Sequence, residues 1–177
     1  GEFLFSLYDD SYPDVRFRGA INFIGGNREE QDKSPLGILV REVKEEFSDP
    51  NNRYEEIISA ILNNARGFQD FVVTSHSSSS ENIISSYKSE ISQETLERIK
   101  KELNKGKRIV NEGLLKIANL EDIISGNVTM ARASSPIMSY YLNKNVPNFF
   151  NSRAEPIGMP RESFEDYLES FEYTKYS

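Results

Sequence analysis

Between Pro35 and Phe47 the chain carries two stripes of residues that an α-helix, and not a strand, keeps apart. At about 100° per residue, Leu36, Leu39, Val40, Val43 and Phe47 form an apolar stripe. Glu42, Glu45 and Glu46, spaced i, i+3 and i+4, fall within an arc of roughly 100° on another. Ser34 reads as the N-cap and Pro35 as the first helical residue. Adjacent like charges disfavour a helix by about 0.2–0.5 kcal/mol per pair, so the acidic face is either left to solvent or compensated by a cation. Hard divalent ions such as Mg²⁺ supply that compensation. The plainer reading is a solvated helix face with an Arg41–Glu45 pair at i, i+4.

A chain of 177 residues fits one domain, long enough to bury a core without staples. It has no cysteine, which excludes thiolate catalysis, Fe–S clusters, Cys-type zinc sites and disulfides. Its one histidine, His76, rules out a metal site needing two imidazoles, and its place in a run of serines reads as an ordinary loop side chain. With 28 acidic against 21 basic residues the net charge is −7, which disfavours nonspecific binding to long nucleic acid. A small anionic substrate is compatible, held by local arginines, backbone amides and bridging metal ions. Neither a run of about 18 apolar residues nor a charged-then-apolar leader is present, so neither a membrane span nor a secretion signal is expected and the chain reads as cytoplasmic. It opens on Gly1 rather than Met, which leaves room for a missing upstream strand.

Along the chain, Glu2–Tyr8 reads as a strand closed by the turn Asp9–Pro13. Gly19–Ile24 reads as a second strand that ends at Gly25-Gly26, whose freedom at positive φ suits a sharp exit. After the acidic helix, Arg53–Ala65 has helical spacing of Ile57, Ile58, Ile61 and Leu62; Phe68–Thr74 is strand-like, and Ser75–Ser80 is a loop. Ser92–Leu103 is a helix capped by Ser92. Arg108–Val110 and Gly113–Ile117 read as strand, Leu120–Ile124 as a turn of helix, and Ser135-Pro136 as the start of a helix running to Leu142. The rest reads as an irregular, proline-punctuated connection and a final helix from Glu162 to Tyr173, so that 143–177 is an extension packing on the domain. The expected fold is a single α/β domain over 1–177 with one mixed sheet between helices.

At Gly25-Gly26 and Arg41-Glu42-Val43-Lys44-Glu45-Glu46 the sequence resembles the Nudix hydrolase family. The family box runs glycine, five residues, glutamate, seven residues, then Arg-Glu-aliphatic-x-Glu-Glu-x-Gly-aliphatic, and all specified positions agree over 41–46. Three positions depart from it. Six residues rather than five separate Gly26 from the box's glutamate position, which is Lys33, and the box's later glycine and aliphatic residue are Ser48 and Asp49. Glu29, Glu30 or Asp32 in the same loop could replace the missing acid.

The resemblance implies a Nudix-like α/β/α sandwich that hydrolyses a phosphoanhydride in a nucleoside diphosphate linked to another moiety. It implies that Glu42, Glu45 and Glu46 hold Mg²⁺ or Mn²⁺, that Arg41 orients them, and that Glu45 or a later residue, Glu112, serves as base. Arg16, Arg18, Gly25 and Gly26 are the expected substrate contacts, and Phe149-Phe150 and Tyr140-Tyr141 are candidates to stack on a base, although such aromatics usually serve the core. In the family the nucleotide is chosen by loops outside the box, so neither its identity nor an oligomeric state follows from these residues. One alternative is a domain that has lost turnover with Lys33 and only binds a nucleotide or a protein. Another is an acidic interaction module that shows no metal response.

Overall fold

A computed structural model describes residues 1–25, 29–30, 35–74, 81–104 and 114–161. Gly26, Asp32, Lys33, Ser34, His76 and Glu112, the expected strand at 108–110 and the expected final helix lie outside the described residues. Strand β1 (Glu2–Leu7) is central in a sheet of order β2-β1-β5, with β2 (Ile21–Asn22) and β5 (Leu114–Asn119) both antiparallel to it. A second sheet of order β4-β3-β6 joins β3 (Ala65–Thr74) to β4 (Glu81–Ser89) and β6 (Arg153–Arg161), again antiparallel. The helices are α1 (Pro35–Glu46), α2 (Glu55–Asn63), α3 (Gln93–Asn104), α4 (Leu120–Ser125) and α5 (Ser134–Leu142).

The chain is therefore mixed α/β, but the single mixed sheet read from the sequence is, among the described residues, two antiparallel three-stranded sheets. The difference comes from two strands hidden in the sequence. β4 lies in a stretch whose serines resemble loop, yet its alternation puts Ile84 and Ser86 inward and Ile83 outward, so it closes a hairpin with β3. β6 contains Pro156 and Pro160, which argue against a central strand, but it is an edge strand with β3 on one side only. β3 begins at Ala65, where the sequence reads the end of a helix, and a register shift between Arg66 and Gln69 is made at Gly67, whose φ is +65°.

The alternation of β1 sorts its side chains to two cores. Leu4 joins Leu115 and Ile117 of β5 against Val43 of α1 and Phe47 just after it, Ile57 of α2 and Ile99 of α3. Phe3 and Phe5 point the other way, to Ala118, Ile123 of α4 and Met138 of α5. Helix α5 also faces the second sheet, where Ile137 and Ala133 meet Phe71 and Val73 of β3. Ser135, at the helix start expected for Ser135-Pro136, is fully buried; its Oγ donates to the carbonyls of Val146 (3.2 Å) and Pro147 (2.7 Å), tying the following loop to the helix. β2 is shorter than expected because Asn22 Oδ1 accepts from the Phe23 amide at 2.8 Å, which takes that amide out of the ladder.

Candidate functional site

An open cleft of about 2250 Å³ runs between the two sheets, with β1 and β4 among its walls. It is larger than the roughly 300–1,000 Å³ of small-molecule sites, so the argument for a ligand rests on residues rather than shape. Gly25, Glu42 and Glu46 line it. Val43 and Phe47 anchor α1 in the core, each 1% exposed, and this fixes which carboxylates turn inward. Burial of Val43 and Phe47 stabilises the helix by about 1.5–3 kcal/mol for each side chain.

The three helix carboxylates do not share one environment. Glu42 and Glu46, one turn apart, face the cleft, and Oε2 of Glu46 is buried. Glu45 points to solvent with 59% of its side chain exposed. Arg41 stands between them: its Nη1 lies 2.9 Å from Glu42 Oε1, 3.2 Å from Glu45 Oε2 and 3.3 Å from Glu29 Oε1. Burial pushes the Glu42 carboxyl above its ordinary range, and the bond from Arg41 only partly offsets this. Among the described residues no three His, Asp or Glu side chains come close enough to hold a metal ion together. Two carboxylates one turn apart, both opening on a cleft, are nevertheless a fitting protein share for Mg²⁺, which usually takes one or two carboxylates and completes its shell with water and phosphate oxygens.

The expected substrate contacts divide. Arg16 lines the cleft but is engaged by Asp14, with Nη2 to Oδ2 at 2.8 Å. Arg18 donates from Nε to the Tyr12 carbonyl at 2.8 Å and is not among the cleft residues. Gly25 has no positive φ and, among the described residues, no atom near where a Cβ would stand, so the sharp exit assigned to its conformational freedom is not made there. The aromatic pairs hold the fold. Tyr140 Oη bonds Gln69 Oε1 at 3.1 Å, Tyr141 Oη bonds the Gly67 carbonyl at 2.7 Å, and Phe150 packs on Phe17 with ring centroids 4.9 Å apart. Phe149 is exposed.

Sequence reasoning missed a second group on the same cleft, Tyr8, Tyr12, Phe17 and Arg132, brought together from the connection between β1 and β2 and the approach to α5. The Tyr-Tyr-Phe spacing was visible, but Arg132 joins it across more than a hundred residues and in an unusual backbone conformation, which no local pattern announces. No family model, no curated protein and no solved structure matches the chain.

Proposed function

We propose that the chain is a Nudix-type hydrolase, dependent on Mg²⁺ or Mn²⁺, that cleaves a phosphoanhydride in a nucleoside diphosphate linked to another moiety, with α1 as the box helix of an α/β/α sandwich. The observation that carries this reading is the placing of Glu42 and Glu46 on one cleft wall while Arg41 holds Glu42 and Glu45 at 2.9 and 3.2 Å. Glu42 and Glu46 would hold the metal, and Arg41 fixes their neighbourhood. Glu45, exposed and paired with Arg41, has the weaker claim as ligand or base. The bound ion supplies charge neutralisation on the phosphate oxygens and an acidified water. Glu29, one of the acids that could stand in for the one lost at Lys33, lies within ion-pair distance of Arg41.

A second reading, binding without turnover, draws on the same cluster, because Arg41 already gives three carboxylates a cation. Phosphate release from ADP-ribose, dinucleotide, capped and nucleoside triphosphate substrates with Mg²⁺ and Mn²⁺ separates the two. Glu42→Gln and Glu46→Gln are expected to lose activity by about 10²-fold or more, the usual contribution of a positioned acid–base or metal-holding group. Glu45→Gln is expected to lose less. Inertness of every substrate with either ion sinks the hydrolase reading; a thermal shift with Mn²⁺ that persists in that case supports binding alone.

A further inference from the structure

Arg132 has a φ of +53°, in the left-handed region that a long side chain rarely occupies. Such a conformation costs on the order of 1 kcal/mol or more and persists only where its surroundings hold it. Its surroundings do: the guanidinium lies 4.7 Å from the centre of the Phe17 ring and Nη2 donates to Tyr12 Oη at 3.0 Å. Arg16 approaches the same ring at 5.4 Å. The two arginines differ in charge balance. Arg16 is neutralised by Asp14, whereas the described residues place no carboxylate within ion-pair distance of Arg132. Both open on the cleft that Glu42 and Glu46 line, in a chain of net charge −7. A fixed guanidinium with no direct ion pair among the described residues, whose neighbours are the Tyr8 and Tyr12 hydroxyls and, at longer range, Asp14, is the protein half of a bidentate oxyanion contact.

We propose that Arg132, set on Phe17 and held by Tyr12, is a phosphate-binding residue of the cleft and receives the diphosphate oxygens of the substrate. This rests on the reading of the cleft as a nucleotide site. The guanidinium stays charged at any working pH, and the Tyr12 bond limits its rotamers, so little side-chain freedom is lost when the anion arrives. Arg16 would assist only by leaving Asp14.

The test is calorimetric titration with α,β-methylene-ADP, whose diphosphate cannot be cleaved at the bridging position, in EDTA and at low salt. Wild type, Arg132→Lys, Arg132→Asn and, as a remote arginine paired with Glu56, Arg98→Ala are compared. Asparagine tolerates the left-handed backbone, so Arg132→Asn removes the guanidinium without adding strain. It is expected to weaken binding at least about tenfold, the loss of one charged hydrogen-bonded contact. Arg132→Lys should fall between, and Arg98→Ala should match wild type. Inorganic pyrophosphate should show the same dependence on Arg132, and adenosine none. The proposal is overturned by Arg132→Asn binding as tightly as wild type, by wild type binding neither diphosphate, or by an equal loss for adenosine. Should Arg132→Asn fail to fold, Arg132→Lys decides alone: weakened binding supports the assignment and unchanged binding removes it. Turnover lost in all substrates with this binding intact would sink the hydrolase and leave the phosphate site. Turnover intact with unaltered KM in Arg132→Asn would do the reverse.

Discussion

Two carboxylates at the ends of one short segment respond to pH with opposite signs. Asp49 closes the turn after α1: it accepts from the Asn51 and Arg53 amides and pairs with the Arg53 guanidinium at 2.8 Å, which holds its carboxyl at about 2 against an ordinary 3.8. A depressed carboxyl contributes stability that is complete above its unfolded value and disappears as pH falls through the folded one. Asp49→Asn should therefore lower the urea midpoint at neutral pH and flatten its decline between about pH 4 and pH 2. An unchanged slope in that window would deny Asp49 this role. Glu42 is raised, so its ionisation opposes folding and stability falls as pH climbs past the usual carboxylate range. Glu42→Gln, which keeps an acceptor for Arg41, should then be at least as stable as wild type at pH 7 while losing metal-dependent turnover. A gain in thermal midpoint together with loss of activity is the signature of a group kept for function. Loss of both would make Glu42 a structural partner of Arg41.

At the scale of elements, glycines that look alike in sequence separate by backbone. Gly67 makes the bulge of β3 at φ +65°, with the Lys88 side chain 3.4 Å from where a Cβ would stand, so Gly67→Ala should cost about 1–2 kcal/mol, read as a lower denaturant midpoint. Gly25→Ala meets no atom of the described residues and no positive φ, and should leave stability unchanged or slightly raised. Sequence reading assigned conformational freedom to Gly25-Gly26 and none to Gly67. It found α1, the Ser92-capped α3 and β1 because their signals are local: a period of 3.6, a cap with the Thr95 amide on Ser92 Oγ at 3.1 Å, and an aromatic run ended by a turn. It missed β6 because the property that tolerates Pro156, being at a sheet edge, belongs to the partner strand and not to the segment. It placed Glu42, Glu45 and Glu46 on one face correctly as an arc, yet which of them meets the cleft depends on how Val43 and Phe47 seat the helix. Arg132 was illegible for the same reason, its meaning being set by Phe17 and Tyr12.

The position of β6 also decides how much of the chain the fold requires. From the sequence, residues 143–177 read as an extension packing on the domain. In the structure β6 pairs with β3 from Arg153 to Arg161, and Ala154 packs in the cluster of Phe71 and Ile137. Gln69, 2% exposed, donates from Nε2 to the Ile157 carbonyl at 3.0 Å and reaches that of Gly158 at 3.4 Å. A chain ending at Ser152 strips β3 of its ladder on one side and takes two of the acceptors from a buried amide, which costs about 1–3 kcal/mol for the amide alone. Since α5 lies between the two sheets, the damage should reach the cleft and not stay at the edge. The shortened chain is therefore expected to unfold at a clearly lower midpoint, or not to fold. Gln69→Leu should be costly in the full chain but less so in the shortened one, because the amide there keeps only the Asp70 carbonyl of its three acceptors. Coupling of that sign in the double-mutant cycle would place the loss at the β3–β6 contact. A shortened chain with an unchanged midpoint would return β6 to the status of an appendage.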